Sequence, residues 1–240
     1  MTNNTYTIMT YMFDGQIMKY YYDYHKIKYT YKSIQKKSED YYLCDYNPDS
    51  ENRSKYIPLI NIFDDPVLNK IGEDNKALSK NWYENKNKSE CIKQLKNNLT
   101  NYFRNKLKAP SSSISWSVYS DFERKLSGKG RTYVKKLDAE EKGLPDEDKR
   151  QYKCFVPCNS RATNMYADRF NLAYAVNLFI NPYIMKFFIQ RGIIVNQEKF
   201  ALCEMLQWIW RSRIRNGYDI NIYIPSKRMR NLLTWWLNSK

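Results

Sequence analysis

The chain has 240 residues with 42% hydrophobic content, and its 40 Lys and Arg against 25 Asp and Glu give a formal net charge of +15. That is enough apolar material for one large or two small packed domains, which excludes a disordered tail. No run of eighteen apolar residues and no basic-then-apolar leader is present, so the expectation is a cytoplasmic protein with no membrane association.

The first fifty residues are dominated by tyrosine, and MKYYYDYHKIKYTYKSI alternates in the manner of amphipathic strands, which predicts a small two- or three-stranded sheet. Its interleaved Tyr and Lys are the residue types that stack bases and hold phosphates. His25, the single histidine, lies here with no Gly-x-Ser-x-Gly elbow anywhere in the chain, which argues against hydrolysis by a catalytic triad. Pro48 and the run NPDSENRS mark a loop, after which IPLINIF and residues 74–107 read as mainly helical. Leu78, Trp82, Cys91, Ile92, Leu95, Leu99, Phe103 and Leu107 form an apolar stripe on that stretch.

KAPSSS at 108–113 interrupts the helical pattern, so a domain boundary is placed there, with residues 1–110 unassigned and 111–240 forming a second unit. ISWSVY reads as a buried strand, DFERKLSG as a short helix closed by Gly128, and residues 135–150 as a charged insertion. CFVP reads as a further strand. The five cysteines (Cys44, Cys91, Cys154, Cys158, Cys203) are dispersed, and with one histidine they predict reduced thiols and no metal site.

Residues 168–188 read as an apolar helix broken near Asn181-Pro182. Asn196 caps a helix stopped by Gly217, DINIYIP is a strand with Ile220, Ile222 and Ile224 inward, and Ser226 caps the last helix. Leu232, Leu233, Trp236 and Leu237 form that helix's buried face, with Lys227, Arg228 and Arg230 on its wet one. The order of elements predicts an α/β fold, a mostly parallel sheet flanked by helices, preceded by an N-terminal α+β segment.

The composition is rich in Lys, Asn, Ile and Tyr, as AT-rich coding produces, which weakens net charge as evidence for a polyanion partner. Arginine is scarce in such a composition, yet Arg211, Arg213, Arg215, Arg228 and Arg230 crowd into twenty residues. Gln207, Arg211 and Arg215 fall at four-residue intervals, which on a helix would stack them along one face. Two guanidiniums one turn apart repel each other, and an anion with the oxygen geometry of a polyphosphate would relieve that repulsion.

A glutamine and two arginines on a helix, followed by Gly217 and a short apolar strand, resemble the sixth motif of superfamily-two helicases. FVPCNSRATNMYADR, with Asn159, Arg161, Thr163 and Asn164 in a loop, resembles their fifth motif. The likeness covers about residues 112–240 and is to the C-terminal, RecA-like lobe of DEAD/DEAH-like helicases of phage and mobile-element type. It implies a phage-encoded protein of the host cell cytoplasm. Gln207, Arg211 and Arg215 would then face ATP, and Asn159, Arg161, Thr163, Asn164, Lys227, Arg228 and Arg230 would contact nucleic acid.

Two departures bear on activity. The arginines stand four apart where the motif spaces them three apart, and no Gly-x-x-x-x-Gly-Lys-Ser/Thr occurs, the nearest text being SGKGRT. DAEE at 138–141 follows Lys135-Lys136 rather than a buried strand, so it does not read as a metal-binding acidic box. The chain alone is therefore not expected to hydrolyse ATP, and ATP and Mg²⁺ enter only with a partner lobe that carries the phosphate cradle. The partners expected are single- or double-stranded nucleic acid and such a P-loop-bearing lobe. The alternatives are a non-motor nucleic-acid-binding accessory protein and a helicase-binding regulator.

Overall fold

The computed structural model describes residues 6–48, 51–135, 153–160 and 163–239. Four short strands, β3 (Ile60–Ile62), β4 (Ile114–Ser117), β5 (Asn171–Tyr174) and β6 (Ile220–Tyr223), form one parallel sheet in the order β3-β6-β5-β4. Ahead of it stand helix α1 (Ile17–Tyr24) and an antiparallel hairpin of β1 (Lys32–Lys37) and β2 (Asp40–Asp45). The expected α/β sheet with an N-terminal α+β segment is therefore present. The tyrosine run itself is helical at 17–24, and only its continuation pairs as strands.

Alternation along the strands sorts the core into two layers. Trp116, Ala173 and Tyr223 face the connection from β3 to β4, whose helices α2 (Pro66–Asn69), α3 (Lys80–Glu84) and α4 (Ser89–Thr100) bring Leu68, Tyr83, Leu95 and Leu99 onto them. Leu172, Tyr174, Ile220 and Ile222 face the opposite way, onto α7 (Gln197–Ile209) and α8 (Lys227–Asn238), through Leu202, Leu206, Leu233 and Trp236. Between these, α5 (Glu123–Leu126) follows β4 and α6 (Pro182–Ile189) follows β5. Phe188 of α6 and Tyr20 of α1 form a third cluster with Ile180.

Several expectations need correction. The boundary at 108–113 cuts through the domain, because β3 pairs with β6 and Leu95 and Leu99 share one core with Trp116. IPLINIF holds the edge strand β3, which no local pattern requires. The stretch 168–188 contains β5, not one broken helix. All four β5 residues are buried, and a strand covered on both faces loses the alternation that would identify it. The long helix stops at Ile209, well short of Gly217, which ends only the 3₁₀ turn Arg213–Asn216. Ser212 is the reason: its hydroxyl donates to the Ile209 carbonyl at 2.7 Å, and its backbone is extended, with ψ −176°.

The expected caps are present. The Asn196 side chain accepts from Lys199 N at 2.9 Å, and Ser226 Oγ accepts from Met229 N at 3.4 Å. The acidic run at 138–141, most of the 135–150 insertion and Arg161 lie outside the described residues.

Candidate functional site

In parallel α/β sheets, ligands ordinarily bind in the crevice beyond the carboxyl ends of the strands. Here that edge is filled by the chain's own side chains. Arg228, 7% exposed, donates to Asn177 Oδ1 and the Leu178 carbonyl, both at 2.9 Å, and to Glu198 at 3.1 Å, and lies over the Phe179 ring. Asn177 in turn donates to the carbonyls of Asn75 and Ala77. Lys227 pairs with Glu73 at 2.8 Å, and Arg230 donates to the Ile224 and Pro225 carbonyls as well as to Glu73. A side chain at Gly72 would meet the Pro225 carbonyl oxygen at 1.9 Å, so the backbones touch there. Of the wet basic face expected of Lys227, Arg228 and Arg230, Lys227 is exposed as expected, whereas Arg228 is buried and Arg230 only partly exposed, and Lys227 and Arg230 share the single carboxylate of Glu73.

The amino edge, where the strands begin, is built differently. A polar ladder crosses the sheet: Asn61 Nδ2 donates to Asn221 Oδ1 at 2.8 Å, Asn221 Nδ2 to Asn171 Oδ1 at 3.0 Å, and Asn171 Nδ2 to Ser113 Oγ at 2.8 Å. Beside the starts of β5 and β6 stand Thr163, Asn164, Arg211 and Arg215, whereas Asn159 follows a segment that runs parallel to β4 through Phe155 and so lies toward the carboxyl edge. Arg211 donates to the Thr163 carbonyl at 3.5 Å and Arg215 to Asn164 Oδ1, so the segment after α7 meets the 163–164 loop. Asn159 is exposed in the turn leading to that loop. Arg213 stacks on Phe170 at 4.0 Å and pairs with Asp219.

Gln207 does not join the arginines. The helix ends between them, and Gln207 Nε2 reaches Cys203 Sγ at 3.0 Å on another side of α7. The single stacked face expected of Gln207, Arg211 and Arg215 therefore does not form.

Gln207 instead lines a pocket of about 390 Å³ with Tyr11, Tyr56, Trp210 and Trp236, rimmed by Glu51, Asn52, Arg53 and Lys55. Trp210 packs edge-on against Tyr56 at 5.0 Å and against Trp236 at 5.5 Å between centroids. Trp236 Nε1 donates to the Tyr11 hydroxyl at 3.0 Å, that hydroxyl to Glu51 at 3.2 Å, and Arg53 pairs with Glu51 at 2.7 Å. Burial first, then the Glu51 carboxylate, pushes the Tyr11 hydroxyl up to about 12. Nothing in the sequence joins Tyr56 to Trp210 and Trp236. The local signal is the tryptophan density in QWIWR and TWWL, of which only Trp236 is expected on a buried face.

Comparison with known proteins fits an arrangement built around this one sheet. The model of the YonV C-terminal Rossmann-like domain matches residues 54–237, starting just ahead of β3. The chain belongs to that family. It is 43% identical over 234 residues to the SPbeta prophage-derived uncharacterized protein YonV of Bacillus subtilis (strain 168). That match takes in 97% of the chain and 52% of YonV, so the chain spans about half the length of this relative. No solved structure matches. Family and relative support the Rossmann-like fold and a likeness to a prophage protein. Among the described residues, no helix is long and apolar enough to cross a membrane.

Proposed function

We propose that this chain is a nucleic-acid-binding module of a prophage-type protein, and that it holds a single strand along the amino edge of its sheet. The observation that carries the reading is the aromatic pocket at that edge. Trp210 and Tyr56 offer ring surface for a base, Asn52 offers an amide group for a base edge, and Lys55 lies at the rim where a phosphate would pass. Arg215, exposed beside Asn164, extends the cationic path across the starts of β5 and β6. The carboxyl edge, filled by Arg228 and Asn177, favours this location over a dinucleotide crevice. The reading is that of an accessory protein, not a motor.

The test compares a fluorescently labelled oligonucleotide with one of the same length lacking its bases. Base stacking contributes about 1–3 kcal/mol per base, so the base-bearing strand is expected to bind at least about fivefold more tightly. Tyr56→Leu and Trp210→Leu should each shrink that difference. Equal affinity for both strands, or no binding of either, contradicts the reading.

The helicase resemblance supports a second reading through one contact. Arg211 and Arg215 meet the loop of Thr163 and Asn164, the pair of segments that resemble the sixth and fifth motifs. On this reading the arginines act on ATP and Mg²⁺ held by a separate lobe. It requires a partner whose ATPase rate rises on adding this chain and does not rise with Arg215→Ala.

A further inference from the structure

At the edge of the sheet opposite the aromatic pocket, beyond the start of β4, lies a cavity of about 410 Å³, within the roughly 300–1,000 Å³ range of ligand pockets. Arg104, Lys108, Lys129, Arg131 and Lys135 stand in its walls, with no carboxylate among the described lining residues. Arg131 is 1% exposed. Its guanidinium donates only to neutral oxygens, Thr100 Oγ1 at 2.6 Å and the Leu126 and Lys96 carbonyls, while Nε has no acceptor. Burial is the main influence on this group and pulls it down to about 10. A buried cation without a counter-charge is costly. Among the described residues, none of the other four cations has an ion-pair partner either.

The local backbone is unusual as well. The wall carrying Arg104 is a π-helical turn, Asn101–Lys106, a conformation that concentrates at functional sites. Lys108, just beyond it, holds the left-handed conformation at φ 47°, where glycine or asparagine is the ordinary helix-ending residue. The facing turn places Lys129 beside Gly130, whose φ of +82° calls for glycine.

We propose that this cavity is a phosphate-binding site, with Arg104, Lys108 and Lys129 as the mobile cations and Arg131 as the fixed charge behind them. The ligand is a phosphate group, either free as pyrophosphate or carried at a nucleic-acid end. The proposal does not depend on the nucleic-acid reading.

The test measures thermal stabilisation and titration calorimetry of the whole chain with pyrophosphate, then with oligonucleotides bearing a 5′-phosphate or a 5′-hydroxyl. Pyrophosphate is expected to raise the melting temperature, and Arg104→Ala with Lys129→Ala to weaken its binding about tenfold or more. Lys108→Gly separates folding from binding: it should weaken pyrophosphate binding while leaving the unliganded melting temperature no lower than the parent's. A preference for the 5′-phosphate that these variants abolish identifies a nucleic-acid end as the source. Pyrophosphate binding without oligonucleotide binding upholds the pocket and sinks the nucleic-acid reading. No response to pyrophosphate, or a response that survives both variants, overturns the proposal.

Discussion

Arg228 shows how far a residue's type can mislead about its role. It stands in a basic run, SKRMR, and reads as part of a solvated face, yet its guanidinium is buried and bonded to Asn177, Leu178 and Glu198. A hydrogen bond involving a charged group contributes about 1.5–3 kcal/mol. Arg228→Ala is therefore expected to lower unfolding free energy by about 2–3 kcal/mol, seen as a lower urea midpoint with the slope unchanged. At a permissive temperature, affinity for single strands should stay at the parent value. Lost affinity in a stably folded variant would return Arg228 to the binding surface.

The elements that were legible in sequence are those whose signals are local. Asn196 and Ser226 mark the starts of α7 and α8, and Ile220 and Ile222 alternate into the core, because a cap or an alternation needs only a few neighbouring residues. What escaped depends on distant partners. Strand β3 exists through its pairing with β6, some 160 positions on. The pocket of Tyr56 with Trp210 and Trp236 likewise joins segments far apart in the chain. The four-residue spacing from Gln207 to Arg215 looked helical throughout, and only the Ser212 hydroxyl bond to Ile209 shows why the helix ends first.

The asparagine ladder belongs to this class too, since Asn61, Asn171 and Asn221 are unremarkable in an Asn-rich chain until the register sets them side by side. Asn171 sits in its middle, 3% exposed, so Asn171→Ala removes partners from both Asn221 and Ser113. Its expected cost is about 1–3 kcal/mol, measured as a urea-midpoint shift. A shift near zero would mean that water replaces the ladder.

At the scale of the whole molecule, the parallel sheet has two unlike ends. At the carboxyl edge, Arg228 is enclosed and Lys227 and Arg230 both pair with the one carboxylate of Glu73. The amino edge presents the aromatic pocket, the exposed Arg215 and the cation-lined cavity before β4. The measurement that separates these ends is the salt dependence of single-strand binding, where each phosphate neutralised contributes a slope of about −0.7 in log K against log salt. The account predicts that Lys55→Ala with Arg215→Ala flattens the slope by about 1.4, whereas Lys227→Ala leaves it unchanged. Salt-independent binding, or a slope that responds to Lys227 and not to the amino-edge pair, would contradict it.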